Sequence, residues 1–102
     1  MASGLRSIFT DRLDICIICG RPAERHHIFG GANRDKSTED GLILPLCPEH
    51  HREGKTAVHV NADARRWTYI LGQYAWESQY DGIAPDGVAR ELFRERYGKS
   101  YL

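Results

Sequence analysis

Apolar positions form short runs up to about Val60 and take on helical spacing beyond it. Residues 14–22 (DICIICGRP) read as a short β-branched strand entering a tight turn, with Gly20 supplying the backbone freedom directly after Cys19. Residues 26–29 (HHIF) form a second extended run, ended by Gly30 and Gly31, and residues 30–41 read as a polar loop. Residues 42–46 (LILPL) form a third run, and Pro45 places it at a sheet edge or near its own end. Pro48 suits the first turn of a helix that Gly54 keeps short. Asn61 is then an N-cap for a longer helix over about 61–81, whose buried face is predicted from Trp67, Ile70, Leu71, Tyr74 and Ala75. Pro85 and Asp86 open a last helix over about 85–98, with Val88, Leu92 and Phe93 turned inward and Gly98 as its C-terminal cap. Ile8 and Phe9 either add a strand or pack on the core.

The pattern predicts one α+β domain spanning residues 1–102, with a core at about 14–60 and two helices after it. A core of that size, rich in Gly, Pro, Asp and Asn, needs a metal or disulfides to hold it. Three cysteines is an odd number and argues against a disulfide scaffold. No apolar run reaches the length of a membrane span, and Met1 to Leu13 has no apolar stretch of signal-peptide length. These features point to a reducing cytoplasm, with the thiols on metal. The chain has 14 basic and 14 acidic residues, which excludes nucleic-acid binding by bulk charge but not by a bound cation and local arginines.

Cys16 and Cys19 form a C-x2-C pair, and Cys47 and His50 a C-x2-H pair, with 27 residues between them. Paired knuckles of this kind supply the four ligands of a tetrahedral structural Zn2+, and thiolates select zinc over magnesium or calcium. His51 is an alternative fourth ligand, although the two-residue spacing favours His50. Four of the five histidines fall in two doublets, His26-His27 and His50-His51, so a structural and a catalytic metal site can lie side by side.

C-x2-C, then His-His-Ile, then a loop, then an apolar strand ending in Leu-Cys-x-x-His-His resembles the HNH endonucleases, over about residues 16–59. The form Pro-Leu-Cys-x-x-His-His is most similar to their phage recombination-enhancement branch. The resemblance implies a zinc-stapled, treble-clef-like ββα-metal core and a hydrolase that cuts DNA phosphodiester bonds. It implies His26 and His51 as ligands of a catalytic divalent cation (Mg2+, or Mn2+ or Ni2+) and His27 as general base. Adjacent residues of a regular strand point to opposite faces, so either a local bend turns His26 and His27 together or His27 reaches its water from the other side while His26 binds metal.

The asparagine that the family carries before its second strand is missing here. Asp40, at the loop end, is the better replacement and Asn33 the other. His59 is a candidate to touch phosphate, to complete the metal site or to cap a turn, and Lys55 to share the helix face of His51. Arg25, Arg34, Lys36, Arg52, Lys55, Arg65 and Arg66 are candidates for a phosphate track, from which two or three contacts are expected. Trp67 fits the helix core rather than a base-stacking platform. The expected partner is DNA, with room for a protein that adds DNA affinity. A zinc module that binds nucleic acid or protein without cutting is the second reading, and it has no use for His26, His27 and His51 together.

Overall fold

Antiparallel pairing of β1 (Glu24–His27) with β2 (Ile43–Leu46) forms the centre of the computed structural model, which describes residues 5–102. Met1 to Gly4, part of the stretch read for a leader, lie outside the described residues. In register, Glu24 faces Leu46, Arg25 faces Pro45, His26 faces Leu44 and His27 faces Ile43. The four residues of β2 are all buried, as the unbroken apolar run 42–46 requires. Pro45 has no N–H to give, and in a two-stranded sheet it needs none; its carbonyl accepts from the Ile17 N–H at 2.9 Å and so ties the knuckle to β2.

The short strand predicted within residues 14–22 shrinks to a single bridge between Ile15 and Pro22. The turn inside it closes with Cys16 N–H to the Arg21 carbonyl (2.7 Å) and Gly20 N–H to the Cys16 carbonyl (2.9 Å), with Gly20 at φ +78°. Ile8 and Phe9 pack against the core, and the Ile8 N–H donates to the Gly41 carbonyl.

The predicted loop at 30–41 is instead a 3-10 turn (Gly31–Asn33) leading into α1 (Arg34–Glu39). Its sequence lacks apolar periodicity because long-range polar contacts hold it. The Asn33 amide donates to the Tyr97 carbonyl, Lys36 Nζ to the Arg96 carbonyl, and the buried Ser37 hydroxyl to the Leu42 carbonyl.

α2 (Ala62–Ser78) starts where expected: the Asn61 side chain accepts the Ala64 N–H at 2.9 Å. Its buried face is not the predicted one. Thr68, Gly72, Gln73 and Trp76 face inward, while Trp67 is 69% exposed and Tyr74 64%. The row 68–72–76 lies one residue on from the apolar row 67–71–75. Gly72 explains the choice, because a Cβ there would meet Ile28 Cγ2 at 3.1 Å and Phe29 Cε2 at 3.3 Å. Gln73 is fully buried, and its polar atoms are matched: its amide donates to Glu77 and Ser100, and its carbonyl accepts the Tyr101 N–H at 2.6 Å. The displaced apolar side chains Trp67, Leu71 and Tyr74, with Ile17 and Ile18, line an open groove of about 550 Å³.

α3 (Val88–Tyr97) buries Phe93 and Tyr97, leaves Val88 exposed, and ends at Gly98 (φ +95°), whose N–H caps the Arg94 carbonyl. Phe29, just beyond β1, stacks among Tyr69, Phe93, Tyr97 and Tyr101 with ring centroids 4.8–5.7 Å apart, joining the sheet to both helices.

Asp40 anchors this union. Its carboxylate accepts from Trp76 Nε1 (2.9 Å), Arg96 Nε (2.7 Å) and Tyr97 Oη (2.5 Å). Burial and the Asp40 carboxylate together push the Tyr97 phenol above its ordinary value. Asp40→Ala is expected to destabilise the fold by about 2–4 kcal/mol, because three donors lose a charged acceptor. Urea unfolding of the metal-loaded protein measures this, and unchanged stability would refute the anchoring role.

Candidate metal centres

Two clusters of metal-capable side chains occur among the described residues, and they share one stretch of chain. After β2 the backbone makes a single π-helical turn, Glu49–Glu53, with the His51 N–H on the Cys47 carbonyl (2.8 Å) and the Gly54 N–H on the Glu49 carbonyl (2.8 Å). A Cβ at Gly54 would sit 2.7 Å from the Glu49 carbonyl oxygen, so this wide turn closes on glycine.

Cys16, Cys19, Cys47 and His50 form the first cluster, with all ligand atoms within 4.8 Å of one another. The Cys19 and Cys47 sulfurs are 3.6 Å apart, and His50 Nδ1 lies 3.2 Å from Cys47 Sγ and 3.6 Å from Cys16 Sγ. A tetrahedral site with metal–sulfur bonds of about 2.3 Å has edges of about 3.8 Å, so these four atoms lie close enough to bind one ion. Burial pushes the Cys16 thiol up, but backbone N–H donors near it and His50 outweigh that and bring it to about 6. Of the two histidines weighed for this site, it is His50 that joins the cysteines; His51 turns away.

His26, His51 and His59 form the second cluster. His26 and His51 are buried and His59 is exposed, so the cluster opens toward solvent on the His59 side. Ring centroids stand 4.6–5.3 Å apart, and the Nε2 atoms of His51 and His59 face each other at 3.0 Å. His59 arrives by a reversal after Gly54: the Val58 and His59 N–H groups donate to the His50 and His51 carbonyls at 3.0 Å. That return strand brings in a residue eight positions on from His51, which no helical periodicity would place there.

The polar chemistry of this second cluster fits a cation. Buried polar atoms in folded proteins nearly always have partners. His26 Nε2 is the one buried side-chain nitrogen or oxygen without a hydrogen-bond partner among the described residues. Burial, reinforced by the neighbouring imidazoles, lowers His26 to about 3, so this nitrogen carries a lone pair rather than a proton at neutral pH when its other nitrogen is the protonated one.

His27 belongs to neither cluster. β1 is regular, so His26 and His27 project to opposite faces; no bend turns them together. His27 is half-buried, and burial followed by Arg34 lowers it from its ordinary value. Asp40 does not sit with the histidines: its carboxylate bonds Trp76, Arg96 and Tyr97, so it is a structural anchor rather than the expected positioning group. Asn33 donates to Tyr97 and is likewise engaged on α3. Lys55 lies past the end of the π-helical turn and does not share a helix face with His51. Trp76 is buried.

Arg52 and Arg65 act electrostatically on His59, and Arg34 on His27. One contributor escaped the sequence reading. Glu24 Oε1 lies 2.7 Å from His51 Nδ1, and Glu24 Oε2 accepts from Arg52 at 2.7 Å. The only sequence signal was its place two residues before His26, on the same face of the strand. Among the described residues, no helix is long and apolar enough to cross a membrane. No protein-family model, curated protein or solved structure matches the chain.

Cys47→Ser is expected to lose the tightly held ion of the first cluster and, with it, cooperative folding, since such an ion contributes on the order of 10 kcal/mol. Elemental analysis of the purified variant, paired with its circular dichroism melt, tests this. Full metal content or a native melt would contradict the bracing role.

Proposed function

We propose that the chain is a metal-dependent nuclease of the HNH type that hydrolyses DNA phosphodiester bonds, braced by a structural zinc on Cys16, Cys19, Cys47 and His50. The observation that carries this reading is the convergence of His26, His51 and His59, with the unpartnered Nε2 of His26 among them and His27 next to it in the chain. A cation held by these three imidazoles would act as a Lewis acid toward a phosphate oxygen and the leaving oxygen.

The chain's own residues supply the rest. His27 takes the proton of the attacking water through its imidazole, a role that contributes about 10²–10⁴-fold. Its place on the opposite face of β1 from His26 means that it would reach its water from the other side of the strand. Arg34, which acts electrostatically on His27, and Arg65, which acts on His59, are the members of the proposed phosphate track that support this reading, whereas Arg52 is paired with Glu24. This local positive charge offsets the zero net charge of the chain, and a DNA-binding partner protein is compatible with it.

A zinc module that only binds would leave the second cluster without a role, and nothing in such a module requires a buried imidazole nitrogen with no partner. Plasmid nicking in the presence of Mg2+, Mn2+ or Ni2+ discriminates. The expected result is conversion of supercoiled to open-circular plasmid, lost at least 100-fold in His27→Ala and in His59→Ala while zinc content and fold persist. No nicking with any of these ions would overturn the nuclease reading. Full activity in His27→Ala would overturn the assignment of the base.

A further inference from the structure

We infer that Glu24 is the positioning residue of the three-histidine centre: its carboxylate holds His51 in the Nδ1–H form, so that Nε2 presents its lone pair to a transition-metal ion shared with His26 and His59. The inference rests on the reading of these histidines as a metal centre and adds a residue to it.

The geometry is specific. Glu24 stands two positions before His26, on the same face of β1, and pairs across the sheet with Leu46, the residue before Cys47. Its side chain is 33% exposed, and each oxygen has one partner: Oε1 faces His51 Nδ1 and Oε2 faces Arg52 Nη2, both at 2.7 Å. An ionised carboxylate only accepts, so the shared hydrogen belongs to the imidazole. With Nδ1 carrying the hydrogen, neutral His51 has its lone pair on Nε2. The opposite form would set a nitrogen lone pair against a carboxylate oxygen, which is repulsive. Nε2 is the atom that faces His59 at 3.0 Å and belongs to the ligand cluster.

Arg52 completes the arrangement. It follows His51 in the chain and grips the second Glu24 oxygen, which stops the carboxylate rotating away from the ring. A carboxylate behind a ligating histidine fixes ring and tautomer together and makes the imidazole a better donor; losing such a partner typically weakens metal binding about 10–100-fold. Three neutral nitrogens without a carboxylate in the ligand set favour Co2+, Ni2+ or Zn2+ over Mg2+.

The test reads binding and tautomer, not cleavage. Protein holding a single equivalent of zinc is titrated with Co2+, following its visible absorption and heat of binding. The expected wild-type result is one further site per chain, and Glu24→Ala weakens it about 10–100-fold while one zinc is retained. Arg52→Ala, which leaves the Glu24–His51 contact in place, weakens it less than Glu24→Ala does. Long-range nitrogen–proton NMR of His51 before cobalt is added shows Nδ1–H in the wild type and loss of that preference in Glu24→Ala, a change that a merely structural glutamate would not produce. Unaltered cobalt affinity in a folded Glu24→Ala, or an unaltered His51 tautomer, overturns the role of Glu24 alone. Failure of the wild type to bind a second ion overturns both this inference and the metal-centre reading beneath it.

Discussion

Two neighbouring histidines belong to two different clusters, and one wide helical turn makes this possible. Successive side chains on a helical turn point in different directions. His50 therefore reaches the three sulfurs while His51 reaches His26 and His59. Cys47 begins the turn, Gly54 closes it, and the backbone carbonyls of the two histidines recruit the segment that carries His59. The first cluster fixes where this turn begins and how it is rotated. The second inherits its geometry from that placement, so its imidazoles need no separate scaffold of their own.

The opposite side of the sheet has a different kind of fastening. Phe29 lies among four aromatic rings from α2, α3 and the C-terminal residues, and Asp40 binds donors from both helices. The sheet is only two strands, too little to be stable alone. It is held between the cysteine knuckle and the helical pair, and β1 carries Glu24 and His26 through the middle. The helices thus contribute to the site without presenting a ligand to it.

Short-range chemistry was legible in the sequence. Cys16, Cys19, Cys47 and His50 announce their proximity by spacing, and the Asn61 and Gly98 caps mark helix ends. Features that depend on tertiary contact were not. α1 has no apolar stripe, because Asn33 before it and Lys36 within it are tied to distant carbonyls and Ser37 to the carbonyl of Leu42. The inward face of α2 was misassigned because Thr68, Gly72 and Gln73 look like solvent-facing residues until their partners are known, whereas Trp67 and Tyr74 look like core. Asp40 attracted a catalytic role through its position before β2, yet its oxygens turn toward Trp76, Arg96 and Tyr97. His59 was legible as a candidate only, since its approach depends on a chain reversal.

Gly72 ties these observations to the chemistry. It lets α2 pack closely against Ile28 and Phe29, the two residues that follow β1, and Ile28 is two residues along the chain from His26. The bare backbone there sets how closely the segment just beyond β1 rests on the helix. Any side chain at this site would press on Ile28 and Phe29, two and three residues beyond His26, without touching an imidazole. A substitution there therefore acts on the chain that leaves β1 from a buried face, away from the histidine cluster.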